Sequence, residues 1–159
     1  MGEIQSTQRL QLIHSDVCGP MQTQSVGGNR YFVTFIDNFS RYTVVYFIKK
    51  KSEVFEKFKE FEASVTNHFG CKIKTLRSDG GGEYTSTDFE QYLKMNGIRH
   101  EVTVAHTPEQ NGVAERMNRT LVESARAMLA HANLSKMYWA EAVNTAAFLR
   151  NRVLTTAFR

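Results

Sequence analysis

The chain has 159 residues, of which 42% are hydrophobic, 11% aromatic and 23% charged; this suffices for one complete core, is too little for two ordinary domains, and excludes a disordered or fibrous protein. The formal charge of +4 is unevenly placed, because residues 1–109 hold 13 Lys/Arg and 13 Asp/Glu, whereas residues 110–159 hold 7 and 3. A basic surplus in one segment suggests a surface that faces a polyanion, although a solvated helix face explains it equally well.

The first half of the chain predicts an antiparallel meander followed by a helix. Apolar and β-branched residues indicate strands at 10–17, 30–37 and 41–48, with turn residues between them. Ser52 is typical of a helix N-cap, and apolar residues then recur at helical spacing until Gly70 ends the element.

The next segment alternates strands with a short helix. Strands are predicted at 72–77 and at 98–104, and the first of them leads directly into a loop of three glycines. Between the strands, Thr87 and Glu90 have the spacing of a capping box at a helix start.

Two helices are predicted at the end of the chain. Thr107-Pro108 is typical of a helix start, and this long helix runs to about residue 131. A last helix follows near 135–152. The order of elements predicts an α/β domain with a mixed sheet, in which the first three strands are antiparallel and later strands are joined by helical crossovers.

Membrane and disulfide-rich proteins are excluded by the same sequence. No apolar run approaches the roughly 18 to 20 residues that span a bilayer, and no signal-peptide pattern is present, so we expect a soluble, intracellular domain without a membrane partner. Cys18 and Cys71 cannot form a disulfide framework, and no clustered Cys/His spacing indicates structural zinc.

Three acids stand where a strand ends or a helix begins. Asp16 lies at the end of the first strand and Asp79 at the end of the fourth, and thirty-five residues separate Asp79 from Glu115 near the start of the long helix. If the two strands are neighbours, the aspartates lie side by side, and a divalent cation would relieve their repulsion. Oxygen ligands favour Mg²⁺ or Mn²⁺, and two such ions about 3.5–4 Å apart suit an in-line phosphoryl displacement. Ordinary surface carboxylates are the alternative.

The long helix carries basic side chains on the same face as Glu115. Asn118, Arg119 and Arg126 follow it at i+3, i+4 and i+11, and guanidinium groups bind phosphate oxygens. Another face of this helix is predicted to pack on the sheet through Met117, Leu121, Ala125, Met128 and Ala132.

Other polar residues have simpler interpretations. Ser15 and Ser78 each precede an aspartate, but the pattern places no histidine to form a nucleophilic triad with either. His14 and His100 are interpreted as local hydrogen-bonding groups. Asp37, at the end of the second strand, is interpreted as a turn residue, with a fourth site carboxylate as the alternative.

Four long motifs occur in order along the chain: IHSDVCGPM at 13–21, YFVTFID at 31–37, LRSDGGGEY at 76–84 and TPEQNGVAER at 107–116. With these motifs the sequence resembles the catalytic core of retroviral-type integrases, and most closely those of copia-like LTR retrotransposons. The resemblance covers about residues 10–152.

The resemblance implies an RNase H-like fold, with a five-stranded mixed sheet of order 3-2-1-4-5 flanked by helices. It implies that Asp16, Asp79 and Glu115 form the D,D-35-E triad, both catalytic and metal-binding, with two Mg²⁺ or Mn²⁺ ions in the active complex. One departure is Gly80, where the family usually has asparagine. The change removes no ligand, but it alters the surroundings of Asp79.

The resemblance also implies a DNA-binding surface. Asn111 and Gly112 match a mobile loop before the glutamate, and Asn118 and Arg119 match positions that contact DNA ends, to which residue spacing adds Arg126. The implied activity is 3′-end processing of element DNA and its strand transfer into target DNA. The implied partners are the element ends, the target DNA and further copies of the chain, as a homodimer or higher oligomer that acts in the nucleus.

The resemblance divides the chain into an N-terminal extension at 1–9 and a catalytic core at 10–159, without the N-terminal zinc module or the C-terminal DNA-binding region of the family. One alternative is a catalytically limited module, derived from such a core, that binds DNA or oligomerises. Another is a ribonuclease that cuts RNA–DNA hybrids, which the motif at 107–116 disfavours.

Overall fold

The computed structural model describes residues 5–104 and 111–153, and these residues contain a five-stranded sheet. Its strands are β1 Ile13–Cys18, β2 Tyr31–Asp37, β3 Thr43–Ile48, β4 Thr75–Ser78 and β5 Arg99–Val102. They lie in the order β3-β2-β1-β4-β5. The first three pair antiparallel, and β4 pairs parallel to both β1 and β5. The predicted sheet order and strand directions are confirmed.

Helices cover both faces of the sheet. They are α1 Val54–Phe69, α2 Gly82–Thr85, α3 Thr87–Met95, α4 Gly112–His131 and α5 Trp139–Arg150. The predicted start of the long helix at Thr107-Pro108 lies outside the described residues. Within 5–104 and 111–153, no helix combines the length and the apolar character that crossing a membrane requires.

The sheet separates two hydrophobic cores. The first layer, formed by α1, α2 and α3, packs on one face with Phe35, Phe58 and Phe89 among its fully buried side chains. The second layer, formed by α4 and α5, packs on the other face against Phe32 and Ile36. Because side chains alternate along a strand, β2 contributes to both cores and is buried from Phe32 to Asp37.

Two predicted helix caps are wrong, and both errors shift a boundary by one or two residues. A 3₁₀ turn at Lys51–Glu53 precedes α1, and the Glu53 carboxylate accepts hydrogen bonds from the backbone N–H groups of Lys49 and Lys50 at 2.8 and 2.6 Å. Ser52 therefore lies inside the 3₁₀ turn, and Glu53 is the N-cap residue of α1.

The cap of α3 is Ser86, whose hydroxyl accepts from the backbone N–H of Phe89. Thr87 is the first helical residue, and Glu90, predicted to complete a capping box with it, binds His100 instead. The prediction failed because a tertiary partner took the carboxylate.

The apolar face of α4 was predicted correctly in its first half. Met117, Leu121 and Ala125 are buried in the second core. Met128 is half-buried and packs against the same core, beside the buried Leu129. Ala132 is exposed as the C-cap, so the prediction was wrong for this residue.

The edge strand β3 is closed at its first residue by the residue after α5. The Asn151 side chain accepts from the Thr43 backbone N–H at 2.9 Å and donates to the Thr43 carbonyl at 2.8 Å. A side-chain amide thereby makes the pair of bonds that a neighbouring strand would make.

Asp37 lies at the end of the sheet remote from Asp16, since it pairs with Ile13 at the start of β1. Its carboxylate accepts from the Ser40 backbone N–H and hydroxyl and from the Leu10 backbone N–H. The turn interpretation of Asp37 is confirmed.

Candidate functional site

The register of two parallel strands brings Asp16 level with Asp79. Ile13 of β1 lies opposite Leu76 of β4, and the same offset places Asp16 opposite Asp79, which directly follows β4. Ile13 and Leu76 point into the first core, so alternation directs both aspartates to the face covered by α4. The predicted side-by-side arrangement follows from this pairing.

Glu115 enters the same electrostatic environment from the first turn of α4, where it is exposed. Burial, followed by the negative charges of Asp79 and Glu115, raises the pKa of Asp16 to about 7. The Val17 backbone and the Asn118 side chain act in the opposite direction by hydrogen bonding to the carboxylate. Two like charges therefore oppose the ionisation of a carboxyl group that is already poorly solvated.

Asn118 orients Asp16. Its Nδ2 donates to Asp16 Oδ2 at 3.2 Å, while its Oδ1 accepts from the Thr34 hydroxyl at 2.8 Å. Both Asn118 and Thr34 are buried, so the amide cannot turn without losing a bond in a poorly hydrated place. The structure thus gives Asn118 a contact with a site carboxylate, and its predicted contact with DNA stays a prediction.

Asp79 is held by its own loop. The Gly81 backbone N–H donates to Asp79 Oδ1 at 2.9 Å, and the Ser78 hydroxyl donates to the Asp79 carbonyl at 2.9 Å. Gly80 has space beside it, because a Cβ there would meet Val102 Cγ1 at 3.7 Å, an ordinary contact distance. The departure at Gly80 is therefore not a steric requirement of this loop.

Each aspartate directly follows a buried serine, whose side chain lies on the opposite face of the sheet, the face that the first layer covers. Ser15 Oγ lies 2.8 Å from Tyr84 Oη, and burial raises the pKa of Tyr84 well above its usual range. Ser78 Oγ lies 2.8 Å from His100 Nε2, and His100 Nδ1 lies 2.6 Å from Glu90 Oε1. His100 thus pairs with Ser78, a contact that the sequence did not predict. That serine is nevertheless fully buried and cannot reach a substrate as a nucleophile.

The two arginines predicted to contact DNA are exposed on α4. Burial and the charge of Asp16 raise the pKa of the Cys18 thiol, and Arg126 acts in the opposite direction, so Arg126 lies near the end of β1. Arg119 is one turn after Glu115 on the same helix. Both side chains are accessible to a polyanion, and their contact with DNA stays a prediction.

The start of α4 holds the remaining predicted DNA contacts. Asn111 precedes the first helical residue and is buried, and among the described residues neither of its side-chain polar atoms has a hydrogen-bond partner. Gly112 is also buried, and a Cβ there would lie 2.6 Å from a guanidinium nitrogen of Arg116. The predicted contacts of Asn111 and Gly112 with DNA stay predictions.

Within 5–104 and 111–153, no three His, Cys, Asp or Glu side chains form a group that could hold a metal ion as they stand. Asp16 and Asp79 are level in the sheet, and Glu115 acts on Asp16 electrostatically. The exposed Glu115 side chain would have to turn toward the aspartates to complete a three-carboxylate site.

Sequence reasoning missed the residues that hold the aspartates. A signal was present, because Ser15 and Thr34 are polar residues inside otherwise apolar strands, and such residues are buried only with partners. The interpretation of His100 as a hydrogen-bonding group is confirmed. Its partners, Ser78 and Glu90, could not be deduced from spacing.

Comparison with protein families and curated proteins gives a consistent result. The profile of the Integrase core domain family matches residues 6–108. A retrovirus-related Pol polyprotein from transposon TNT 1-94 of Nicotiana tabacum is 59% identical over 143 residues, which is 90% of this chain and 11% of that protein. The chain thus spans about a tenth of the relative it matches.

Solved structures share the fold. The simian T-cell lymphotropic virus intasome, solved in complex with PP2A regulatory subunit B56 gamma, contains a chain that superposes with a TM-score of 0.71 at 20% identity, over 92% of this chain and 50% of that one. The HTLV-2 integrase catalytic core domain, solved in complex with magnesium in a trimeric form, gives a TM-score of 0.64 at 18% identity, over 91% of this chain and 86% of that one. Both show the same architecture of sheet and helices.

Proposed function

Because the chain belongs to the Integrase core domain family, we propose that it is the catalytic core of a copia-like retrotransposon integrase. Its activity would be that of a metal-dependent polynucleotidyl transferase, which trims the 3′ ends of element DNA and joins them to target DNA. The observation that carries the proposal is the level placement of Asp16 and Asp79 on neighbouring parallel strands, with Glu115 acting on Asp16 from α4.

The donor set suits a divalent metal. Carboxylate oxygens are hard ligands that favour Mg²⁺ or Mn²⁺. Burial first, and then the charges of Asp79 and Glu115, raise the pKa of Asp16, and a bound cation would offset both effects. The magnesium complex of the HTLV-2 core supports the same metal class. We propose that Asp16, Asp79 and Glu115 hold two ions, which would activate the attacking oxygen and stabilise the leaving oxygen of an in-line displacement.

The other residues of the site would bind and orient. Asn118 would hold one Asp16 oxygen in place through its hydrogen bond, and the Gly81 N–H would do the same for Asp79. Arg119 and Arg126, exposed on α4, would hold the phosphate backbone of DNA. Because phosphate contacts carry no base information, target choice should depend weakly on sequence.

The proposed partners are element-end DNA, target DNA and further copies of the chain. The intasome and the trimeric core among the structural neighbours support DNA binding and assembly into a homodimer or higher oligomer. Joining to a genome would take place in the nucleus.

The test is the substitution Glu115→Gln, which removes the charge of an exposed side chain and should leave the fold intact. Mn²⁺-dependent strand transfer of a labelled oligonucleotide with an element end should fall to the level seen without metal. Glu123→Gln, also exposed on α4, is the matched control and should retain activity. Undiminished strand transfer in the Glu115→Gln protein would refute the mechanism.

A second candidate is a module that binds DNA or oligomerises without efficient chemistry. The exposed arginines of α4 favour it, because they would serve binding alone equally well. In the same experiment such a protein would retard DNA in a salt-dependent manner, and the wild type would show no metal-dependent product.

A further inference from the structure

We infer that Glu90 and His100 are positioning residues for Asp79, acting through Ser78 from the face of the sheet opposite the carboxylates. The inference rests on the proposed function, in which Asp79 is a metal ligand. It adds one side chain from α3 and one from β5, neither of which would touch substrate or metal.

A continuous series of hydrogen bonds leads from the protein surface to the site. Glu90 Oε1 lies 2.6 Å from His100 Nδ1, His100 Nε2 lies 2.8 Å from Ser78 Oγ, and Ser78 Oγ lies 2.9 Å from the Asp79 carbonyl oxygen. This hydrogen-bond series begins on α3, passes through β5 and ends on the residue after β4. Each link is within normal hydrogen-bond distance.

Hydrogen-bond donors can be assigned at both ends of this series of contacts. The Glu90 carboxylate accepts from His100 Nδ1, so that nitrogen carries a proton. Ser78 has a single hydroxyl proton, which it donates to the Asp79 carbonyl. Ser78 Oγ lies within hydrogen-bond distance of both His100 Nε2 and the Asp79 carbonyl, so this hydroxyl links the ring to the backbone of Asp79.

Packing prevents the ring from moving away. The His100 side chain is 5% exposed, and its ring stacks on Phe89 with planes 16° apart. Ser78 is fully buried, whereas the Glu90 side chain is 43% exposed. The buried end of the series, formed by His100 and Ser78, is thus rigid. Its outer end, Glu90, can be substituted at the surface with little effect on the core.

The hydrogen-bond series acts on one of the two contacts that fix the position of Asp79. Ser78 holds the carbonyl of Asp79, and the Gly81 N–H holds its carboxylate. If the Asp79 carbonyl is released, the peptide plane that leads toward Gly81 can rotate, and the bond from Gly81 should weaken. The Gly81 amide is therefore a local reporter of Asp79 placement that requires no metal and no DNA.

The experiment uses three variants and one control. Ser78→Ala removes the middle link, Glu90→Ala removes the outer link, and Glu90→Gln keeps an oxygen that can accept from His100. Tyr92→Phe is the control, because Tyr92 also lies on α3 and donates to a carboxylate, that of Glu62 on α1, at 2.8 Å.

In the metal-free protein we expect Ser78→Ala and Glu90→Ala to shift the Gly81 amide resonance and to speed its hydrogen exchange about tenfold, as the loss of one hydrogen bond predicts. Glu90→Gln should restore most of the protection. Mn²⁺ affinity should fall about 10- to 100-fold in the alanine variants, the usual effect of removing a group that orients a metal ligand. In strand transfer kcat should fall while KM for DNA is unchanged.

An unaltered Gly81 amide and unaltered Mn²⁺ affinity in both alanine variants would overturn the inference. Equal changes in Tyr92→Phe would also overturn it, because they would reflect a general loosening of α3. If the wild type itself lacks metal-dependent strand transfer, the proposed function fails, and the amide and Mn²⁺ measurements still decide whether Glu90 and His100 position Asp79.

Discussion

Replacing Asp16 by asparagine should stabilise the metal-free protein above neutral pH. Burial and the charges of Asp79 and Glu115 raise the pKa of Asp16 to about 7 from its ordinary value of 3.8. Between these values the folded protein binds a proton that the unfolded chain does not, so the free energy of unfolding falls as pH rises. The stabilising protonated state is fully present below about pH 4 and is lost as pH passes through 7.

The two pKa values correspond to an upper bound of about 4 kcal/mol at pH 8, because each pH unit between them contributes about 1.4 kcal/mol. Asp16 is half-buried, so solvent screens part of this cost, and we expect a gain of about 2 kcal/mol for Asp16→Asn. An asparagine oxygen can still accept from Asn118, which keeps the comparison free of a lost bond. The gain at pH 5 should be less than half of that at pH 8.

Urea unfolding with EDTA present, followed by circular dichroism at pH 5 and pH 8, measures this difference. At pH 8 the melting temperature of the Asp16→Asn protein should exceed that of the wild type by roughly 4 to 8 °C. Asp88→Asn is the control, because Asp88 is exposed in the first turn of α3 and its loss should have a small effect of the opposite sign. Equal stabilities of wild type and Asp16→Asn at pH 8, or a difference that does not change with pH, would refute the reasoning.

Two further substitutions test the surroundings of the aspartates. Asn118→Ala should cost about 1 to 2 kcal/mol in urea unfolding and raise the pKa of Asp16 further, because the donated bond stabilises the carboxylate; an unchanged Asp16 titration by NMR would contradict this. Gly80→Asn should change the free energy of unfolding by less than about 0.5 kcal/mol, because its Cβ would make an ordinary contact with Val102; a fall of several degrees in the melting temperature would show that the loop requires glycine.

The sheet could be predicted from the sequence because its signals are local. Apolar and β-branched residues indicate each of the first three strands, and β2 is rich in them. Helix starts were less certain, because Ser86 and Thr87 are both good caps and only the fold decides between them. The four-residue helix α2 was taken for a glycine-rich loop, since Gly81 and Gly82 at its start carry no helical signal.

The candidate site divides in the same way. Asp16, Asp79 and Glu115 were identified by their positions at element ends, which is a local property. The residues that hold them were not identified, because a bond such as that between His100 and Ser78 joins residues 22 positions apart. Such pairs depend on the register of β4 against β5, which hydrophobic patterning does not specify to the residue.

The two hydrogen bonds between the Asn151 side chain and the Thr43 backbone limit how copies of this chain can associate. An uncovered edge strand offers free amide and carbonyl groups that let a second sheet add to the first and continue without limit. Asn151 occupies both outward groups of Thr43, so a foreign strand cannot align along β3 from its first residue without displacing the end of α5. At this end of β3, contact between copies would therefore have to use side-chain surfaces, which can close into a defined number of subunits.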